Sequence, residues 1–268
     1  MNDIYFILAG IVVGFCVGVT GVGGGSLMTP ILIMLLGVDP RIAIGTDLLY
    51  ASISKFCGTL VHYKKSNVVW PIVLWLAIGS IPASIFTNYA VATYVGDTQH
   101  IKSTMTLILG SMLLLTGLTL VFRSQVEAFF AKHRKAELPD VEPTLSRGKL
   151  ILMGLVLGIV VTLSSVGAGA FGVMALVLIF PQLPMIRIIG SDVAHAVLLT
   201  LVAGMGHMMS GSVDFSLLAK LLVGAIPAII VGTLMSSRLP EKKLRPILGI
   251  TLFLLGVNFL WKVVITSF

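Results

Sequence analysis

Ten apolar segments, separated by short polar stretches, occupy most of this 268-residue sequence. An apolar helix of about 20 residues spans the hydrocarbon layer of a bilayer, and several of the segments reach that length. The chain is 57% hydrophobic and 11% charged, which excludes an ordinary soluble domain. We therefore predict an all-α, polytopic membrane protein. The predicted segments are 4–19, 25–37, 42–62, 69–95, 102–122, 149–164, 169–180, 187–209, 215–237 and 243–264.

Two segments, 25–37 and 169–180, are too short to span and each follows a glycine-rich break. The first break reads Thr20-Gly21-Val22-Gly23-Gly24-Gly25-Ser26 and the second reads Ser164-Ser165-Val166-Gly167-Ala168-Gly169. Backbone that leaves a helix at membrane depth must be buried in protein or face a polar cavity, because lipid cannot satisfy its N–H and C=O groups. The breaks therefore predict two re-entrant hairpins, each with a short half-helix.

The start of a half-helix presents unpaired N–H groups and a positive dipole end, which suits an anion. Glycine permits close approach of a ligand, and neighbouring hydroxyls add hydrogen bonds. The alternative is that small residues only let helices pack closely in lipid. The candidate substrate-binding residues at the breaks are Thr20, Gly23, Gly24, Gly25, Ser26, Ser164, Ser165, Gly167 and Gly169.

The two halves of the chain repeat one another at an offset of 145 residues. Asp47 matches Asp192, His62 matches His207, and Ile81-Pro82-Ala83 matches Ile226-Pro227-Ala228, in one register without a gap from 45 to 87. A duplicated unit explains this better than chance. We predict a first transmembrane repeat at 1–122, a solvated linker at 123–148 and a second transmembrane repeat at 149–268.

The distribution of Lys and Arg predicts the orientation of the repeats. With five segments per half, counting each break as a hairpin tip, thirteen of these residues fall on one side and three on the other; four passes per half give nine against seven. The positive-inside rule favours the first arrangement. The repeats are then inverted, the linker is cytoplasmic and both termini are periplasmic. The two tips then meet near the midplane, as in many secondary transporters.

Charged residues inside the segments are candidates for coupling. An intramembrane carboxylate costs roughly 2.5–3.5 kcal/mol at the bilayer centre. Asp47 and Asp192 are therefore candidates for proton coupling. The alternative is that each carboxylate only lies near a helix N-terminus, where the helix dipole stabilises its negative charge. His195 is three residues after Asp192, so the two share a helix face and could relay a proton.

The remaining candidates have structural alternatives. For Lys55, the sequence predicts either a salt bridge with Asp47 or an ammonium group that extends along its stem to the interface. The alternative is that Lys55 contacts the substrate. His62 and His207 lie at segment ends, where interfacial hydrogen bonding competes with a ligand role. Arg41 and Arg187 head their segments and either catch an anion or anchor the interface.

Several function classes have no support in the sequence. It contains no His-Glu-x-x-His, Walker A loop, Gly-x-Ser-x-Gly or cysteine pair at zinc spacing, and Cys16 and Cys57 are best interpreted as small buried hydrophobes. The net charge of +7 resides mostly in loops, so no nucleic acid is expected as a partner. No cofactor, metal or enzymatic activity is expected. A membrane-embedded enzyme would have to use Asp192, His195 and His207 as metal ligands.

The first half contains six motifs in a fixed order: Gly14-x3-Gly18, Thr20-Gly21-Val22-Gly23-Gly24-Gly25, Pro30, Gly45-Thr46-Asp47, His62-Tyr63-Lys64-Lys65-Ser66-Asn67-Val68 and Gly79-x-Ile81-Pro82-Ala83. Taken in this order, they resemble the sulfite exporter TauE/SafE family. Gly190-Ser191-Asp192 through Pro227 resembles the family's second copy, so the resemblance covers nearly the whole chain. By resemblance, the substrate-binding positions are Gly23, Gly24, Ser26 and Thr46, and we add Ser191 as the counterpart of Thr46.

The resemblance implies a secondary transporter in the bacterial inner membrane that moves sulfite, or a sulfonate such as sulfoacetate. We therefore expect a small anion and the lipid bilayer as partners, and leave a homodimer open. Export by alternating access, with Asp47, Asp192 and His195 coupling to protons, is the expected function. An anion channel that uses the same midplane site is the alternative.

Overall fold

A computed structural model describes residues 3–20, 25–93, 98–133, 146–167, 169–235 and 241–266. In these ranges the chain forms ten α-helices and no strand, which confirms the predicted all-α class. The helices are α1 (Asp3–Thr20), α2 (Gly25–Met34), α3 (Pro40–Lys64), α4 (Trp70–Thr93), α5 (Thr98–His133), α6 (Arg147–Ser164), α7 (Ala170–Ile179), α8 (Met185–Met209), α9 (Phe215–Met235) and α10 (Glu241–Thr266).

Six of these helices contain a stretch long and apolar enough to cross a membrane, within α4, α5, α6, α8, α9 and α10. The helices α2 and α7 are short, as predicted, and have 10 residues each, so they end earlier than the predicted segments 25–37 and 169–180. The helix α5 continues past residue 122 to His133, into the predicted linker, and 134–145 lie outside the described residues. The molecule is therefore a multi-pass helical membrane protein.

The third helix of the first half, α3, closely matches its predicted counterpart α8. Both α3 and α8 have 25 residues, and they end in the same kind of turn. The Asn67 N–H donates to His62 O at 2.9 Å, and the Ser212 N–H donates to His207 O at 2.8 Å. Each turn contains one residue with positive φ: Ser66 at 54° and Gly211 at 69°. These pairs match at the predicted offset of 145.

Helices of one half pack mainly on helices of the other. Gly10 of α1 lies against the backbone of Leu221 in α9, and Gly154 of α6 lies against the backbone of Leu76 in α4. A Cβ at either glycine would collide with a backbone carbonyl, so small residues allow the close approach. The contact between α1 and α9 thus corresponds to that between α6 and α4 when the halves are exchanged.

The equivalent helices α3 and α8 run antiparallel to each other. Gly45, near the start of α3, lies against Ser212, just after the end of α8. Towards the middle of both helices, the Ser52 hydroxyl donates to Val197 O at 3.3 Å.

The equivalent helices α5 and α10 are also antiparallel. Gly110 of α5 lies against Phe259 of α10, and Gly117 lies against Gly249, so the residue number rises along one helix as it falls along the other.

One buried cluster brings the second glycine break, α2 and α7 into the same part of the interior. It is built mainly on α5 and α10, with Met112, Leu113 and Leu252. Val166 of the second break belongs to this cluster, and Leu27 of α2 and Phe171 of α7 pack against it. Both short helices are therefore anchored in protein next to the breaks that precede them.

Candidate functional site

The second glycine break separates α6 from α7 by a short turn with left-handed residues. The helix α6 ends at Ser164, and Ser165 adopts the left-handed conformation with φ 59° while its N–H donates to Val161 O at 2.7 Å. Gly167 and Gly169 have φ of 119° and 141°, which side-chain-bearing residues rarely adopt. The chain can therefore leave α6 and start α7 within a few residues.

The first break is described only at its edges. Thr20 is the last residue of α1 and Gly25 the first of α2, whereas Gly23 and Gly24 lie outside the described residues. The following Ser26 is buried. Its position at the start of α2 is the one predicted for a half-helix that begins at the break.

Asp47 lies where α2 and the second break approach each other. Its carboxylate is fully buried, and Oδ2 accepts a hydrogen bond from the hydroxyl of Thr29 on α2. The hydroxyl of Ser165, from the second break, lies beside the same carboxylate without completing a hydrogen bond. Groups that follow α1 and α6 therefore meet at one side chain of α3.

Asp192, the repeat counterpart of Asp47, has a different environment. It is also fully buried, but its Oδ1 lies directly against the Cα of Gly172 on α7, where an added Cβ would collide with the carboxylate. Gly172 thus leaves room for the carboxylate at the second short helix.

Lys55 connects the two carboxylates electrostatically. Its side chain is only 8% exposed, and both Asp47 and Asp192 interact with its charge. With all three groups ionised, this cluster carries one net negative charge. Buried charges are stable only when neighbouring charges or hydrogen bonds compensate them, so the protonation of one group depends on the others.

The two histidines of α8 are buried and hydrogen-bonded to the neighbouring helices. The Nε2 of His195 lies 2.8 Å from the Ser80 hydroxyl of α4, and the ring interacts with the charge of Lys55. His207 donates from Nε2 to Thr162 O of α6 at 2.9 Å. His62, the counterpart of His207, is half-buried near the end of α3.

Thr46 and Ser191 have equivalent contacts in the two halves. The Thr46 hydroxyl accepts the N–H of Asp214 at 3.0 Å, and the Ser191 hydroxyl accepts the N–H of Val69 at 2.9 Å. Each hydroxyl thus satisfies a backbone donor just before α9 or α4, respectively. Ser191 also donates to Arg187 O at 2.7 Å.

The other predicted site residues lie at the edges of this cluster. Ser164 donates to Val160 O at 2.7 Å and accepts the Val166 N–H at 3.2 Å, which holds the second break in shape. Arg41 and Arg187 are half-buried near the starts of α3 and α8, and an Arg41 guanidinium nitrogen lies 3.4 Å from the Ser212 hydroxyl.

Sequence reasoning missed Thr29, Ser80, Ser84 and Thr162, all of which are buried polar residues. The spacing of Ser80 and Ser84, four residues apart on one face of a predicted span, was the available signal. Within the described part of the chain, no group of three His, Cys, Asp or Glu side chains is arranged to hold a metal ion.

These observations define a class: a multi-pass helical membrane protein with two short helices, α2 and α7, and a buried cluster of charges beside them. The chain belongs to the sulfite exporter TauE/SafE family, whose model matches residues 6–259. The family and the curated relatives are membrane transporters, and this agrees with the interior polar site.

Three curated relatives align with this chain over nearly the whole length of both sequences. The probable membrane transporter protein YjnA of Bacillus subtilis is 35% identical over 258 residues, 96% of this chain and 100% of the relative. A probable membrane transporter protein of Xylella fastidiosa is 27% identical over 95% of this chain and 93% of its own. One from Methanocaldococcus jannaschii is 25% identical over 93% and 94%, respectively. No solved structure matches the chain significantly.

Proposed function

We propose that the protein is a secondary transporter that exports a small sulfur-containing anion, such as sulfite or a sulfonate, by alternating access. The observation that carries this proposal is the environment of Asp47. Thr29, from the helix after the first break, and Ser165, from the second break, approach the same buried carboxylate. A site built from both halves can change its access when the halves move relative to each other.

Two inverted repeats supply the frame for this mechanism. The antiparallel pairing of α3 with α8, and of α5 with α10, supports inversion, because repeats related by an axis along the membrane normal would place equivalent helices parallel. The excess of Lys and Arg on the side of the linker supports a cytoplasmic linker and periplasmic termini.

The anion binds where the two short helices begin. Backbone N–H groups at the starts of α2 and α7, together with the hydroxyls of Ser26 and Ser165, provide donors and a positive dipole end. The family to which the chain belongs is described as sulfite exporters, which supports a sulfur oxyanion as substrate. An inside-negative potential favours export by about 2.3 kcal/mol per charge per 100 mV.

Protons couple to transport through the buried cluster. Asp47, Asp192 and Lys55 interact, so a proton gained by one carboxylate changes the charge that the substrate and Lys55 experience. His195, which interacts with Lys55, passes protons towards the cluster. The protein performs no covalent chemistry on its substrate.

Countertransport in proteoliposomes tests this function. Vesicles loaded with unlabelled sulfite and diluted into trace [35S]sulfite should transiently accumulate label. Ser165→Ala should weaken accumulation about tenfold, since a hydroxyl next to the anion site is lost, whereas Ser111→Ala on α5 should leave it unchanged. Ser111 is a matched control, because its hydroxyl is exposed and donates to Leu107 O.

Passive equilibration of label without accumulation would favour an anion channel and contradict the transporter. A thermal-shift screen with sulfite, sulfate, thiosulfate, sulfoacetate and taurine identifies the preferred anion. A ligand present at 100 times its Kd stabilises the folded state by about 2.7 kcal/mol.

A further inference from the structure

An exposed apolar face of α4 begins beside a pair of aromatic side chains. Trp70, the first residue of α4, is 50% exposed and is followed on the same helix face by the exposed Leu74 and Ile78. The exposed Tyr63, near the end of α3, packs edge-on against Trp70, with 6.0 Å between the ring centroids. Exposed Trp and Tyr residues of membrane proteins lie at the depth of the lipid headgroups. Leu74 and Ile78 therefore face the lipid chains, and the two rings lie at the membrane surface.

Helices α4 and α6 begin at the same face of the membrane. Gly154 lies against Leu76 and Gly158 lies against Ser80, so residue numbers rise together along the two helices. Helix α3 ends at this face too, because a short turn at 65–69 joins it to α4. Four exposed cations lie there, two at the end of α3 and two in the first turn of α6: Lys64, Lys65, Arg147 and Lys149.

These cations are not neutralised by neighbouring carboxylates. The sequence has no Asp or Glu from 48 to 96 or from 143 to 191, the stretches that contain the four cations. Among the described residues, no carboxylate forms an ion pair with any of the four. The surface therefore has a positive charge that an anion from outside the chain can compensate.

Arg147 is held in a defined position. The carbon of its guanidinium lies 5.1 Å from the centroid of the Trp75 ring on α4. Stacking of this kind occupies the flat face of the guanidinium and leaves N–H donors in its plane, where they match the oxygens of a phosphate. The positive-inside rule requires cations on one side of the membrane but not at fixed places. The stacking of Arg147 therefore favours a binding role in addition to a topology signal.

The equivalent seam in the other half has no net charge. The contact of Gly10 with Leu221 corresponds to that of Gly154 with Leu76, so residues of α1 and α6 match at an offset of 144.

At these offsets, Arg147 corresponds to Asp3 and Trp75 to Lys220. Asp3 and Lys220 form an ion pair at 2.6 Å. The same contact between helices thus carries a neutral pair at one face of the membrane and a cation on an aromatic ring at the other.

The turn after α8 also lacks the cations of the turn after α3. Lys64 and Lys65 correspond to Met209 and Ser210. The two turns have the same backbone hydrogen bond, so the fold forms without lysine at these positions. The positive charge is therefore a property of one face of the membrane and not of the repeated unit.

We propose that a basic surface formed by Tyr63, Lys64, Lys65, Trp70, Arg147 and Lys149 binds the headgroup of an anionic phospholipid such as phosphatidylglycerol. One acyl chain then lies along the face of Leu74 and Ile78. The lipid belongs to the leaflet at the face where α3 ends and α4 and α6 begin, which is the face proposed to be cytoplasmic. The site is separate from the buried cluster and does not depend on which anion is transported.

A phospholipid fits both parts of this surface. The cations and the Arg147 fork suit a phosphate, and each Lys or Arg near a membrane surface strengthens the attraction to anionic lipid about fivefold. The apolar face continues from the rings into the hydrocarbon, so the chains of the same molecule cover it. A free anion from the solvent would use the cations alone and leave Leu74 and Ile78 to any lipid.

Fluorescence quenching by brominated lipids tests the proposal. The chain has three tryptophans, and Trp261→Phe leaves Trp70 and Trp75 as reporters at this surface. The purified protein is placed in bilayers that contain increasing fractions of brominated phosphatidylglycerol or brominated phosphatidylcholine. We expect the relative binding constant to favour phosphatidylglycerol about tenfold or more. The preference should fall to about twofold in about 1 M NaCl, because the screening length is then about 3 Å.

The cations are tested by substitution at exposed positions. Lys64→Gln combined with Lys65→Gln should bring the preference to within about twofold of equality, and Arg147→Gln should lower it about fivefold. Lys220→Gln, at the equivalent seam of the other half, is the matched control and should leave the preference unchanged. All variants should keep the melting temperature of the wild type to within a few degrees, since surface charges contribute little to stability.

Trp261 reports on the opposite face of the membrane. Helix α5 follows α4 and runs antiparallel to α10, so Trp261, close to the end of α10, lies far from the face where α4 begins. Its side chain is 65% exposed, and one cation, Lys262, follows it. In the variant Trp70→Phe with Trp75→Phe, we expect a preference for phosphatidylglycerol at least about fivefold weaker than at the basic surface.

Four results would overturn the lipid site. They are equal quenching by the two lipids at Trp70 and Trp75, an equal preference at Trp261, a preference that the substitutions of Lys64, Lys65 and Arg147 leave unchanged, and displacement of brominated phosphatidylglycerol by inorganic phosphate at constant ionic strength. The last result would indicate a site for free anions. None of these measurements requires transport, so a failure of the proposed sulfite transport would leave them unaffected.

Discussion

The two halves of this protein share a backbone but differ in the side chains that face the centre. The antiparallel helices α3 and α8 match in length and in their end turns, and Thr46 and Ser191 make the same kind of contact. Asp47 and Asp192 then differ, since the first accepts a hydrogen bond from Thr29 and the second lies against Gly172. The two carboxylates therefore lie at matching positions of α3 and α8 but have different neighbours.

The largest effect is expected for Lys55→Met, which removes the cation shared by the two carboxylates. Breaking a buried charge interaction from one side destabilises a protein by about 3–5 kcal/mol. The loss should diminish at low pH, because protonation of a carboxylate relieves the repulsion. SDS-induced unfolding of the purified protein at several pH values measures it.

The control for this prediction is Lys220→Met. Lys220 pairs with the exposed Asp3 at 2.6 Å, and such surface pairs contribute at most about 1 kcal/mol. Adding Asp192→Asn to Lys55→Met should recover part of the loss. Simple additivity of the two substitutions would show that Asp192 and Lys55 are not coupled.

A smaller effect is expected for Gly172→Ala, which tests the environment specific to Asp192. The added Cβ collides with the carboxylate, so either the side chain or α7 must shift, which costs about 1–3 kcal/mol. Gly148→Ala is the matched control, since a Cβ there meets nothing within 4 Å. Thermal unfolding measures the stability of both variants. Equal melting temperatures for Gly172→Ala and Gly148→Ala would show that Asp192 does not lie against α7.

Asp47→Asn and Asp192→Asn test the coupling role of the two carboxylates. We expect each to change the pH dependence of sulfite flux, by about tenfold or 1.4 kcal/mol at the most affected pH, while substrate binding stays largely intact. The change should be larger for Asp192→Asn, because Asp192 shares a helix face with His195. Flux measured from pH 5.5 to 8.5 decides this, and unchanged profiles in both variants would reject proton coupling.

The smallest effect is expected for Thr46→Val and Ser191→Ala, the symmetric pair. Each substitution leaves a backbone N–H without its side-chain acceptor, which costs about 0.5–2 kcal/mol. Equal losses of stability with unchanged affinity for sulfite would assign both hydroxyls to the frame. A selective loss of sulfite affinity, measured by thermal shift, would instead support the substrate-binding role predicted from the sequence.

Local sequence signals predicted most of the fold. The lengths of the apolar runs located the helices, including the short α2 and α7, because hydrophobic length is a property of each segment alone. The offset of 145 predicted that Asp47 and Asp192 are equivalent. These features depend on neighbouring residues or on simple repetition, so no tertiary information was needed.

The contacts of the site were less accessible to sequence reasoning. The approach of Ser165 to Asp47 joins residues of different halves. The hydrogen bond from the Asp214 N–H to the Thr46 hydroxyl also joins the two halves. Serines such as Ser80 and Ser84 are common in membrane helices, where the hydroxyl often hydrogen-bonds to a carbonyl of the same helix. Their sequence positions therefore do not predict contacts with another helix. Only the packing of α4 on α8 distinguishes Ser80 as a partner of His195.

Disulfide cross-linking between α2 and the second break tests the central claim most directly. In a background with Cys16→Ser and Cys57→Ser, the pair Thr29→Cys and Ser165→Cys should cross-link readily in membranes treated with copper phenanthroline, because both positions adjoin the Asp47 carboxylate. The pair Thr29→Cys and Thr106→Cys is the control, because the Thr106 hydroxyl donates to Lys102 O within α5 and not to Asp47. Efficient cross-linking of the first pair alone is the predicted result; failure of that pair in folded protein would contradict the approach of α2 and the second break to Asp47.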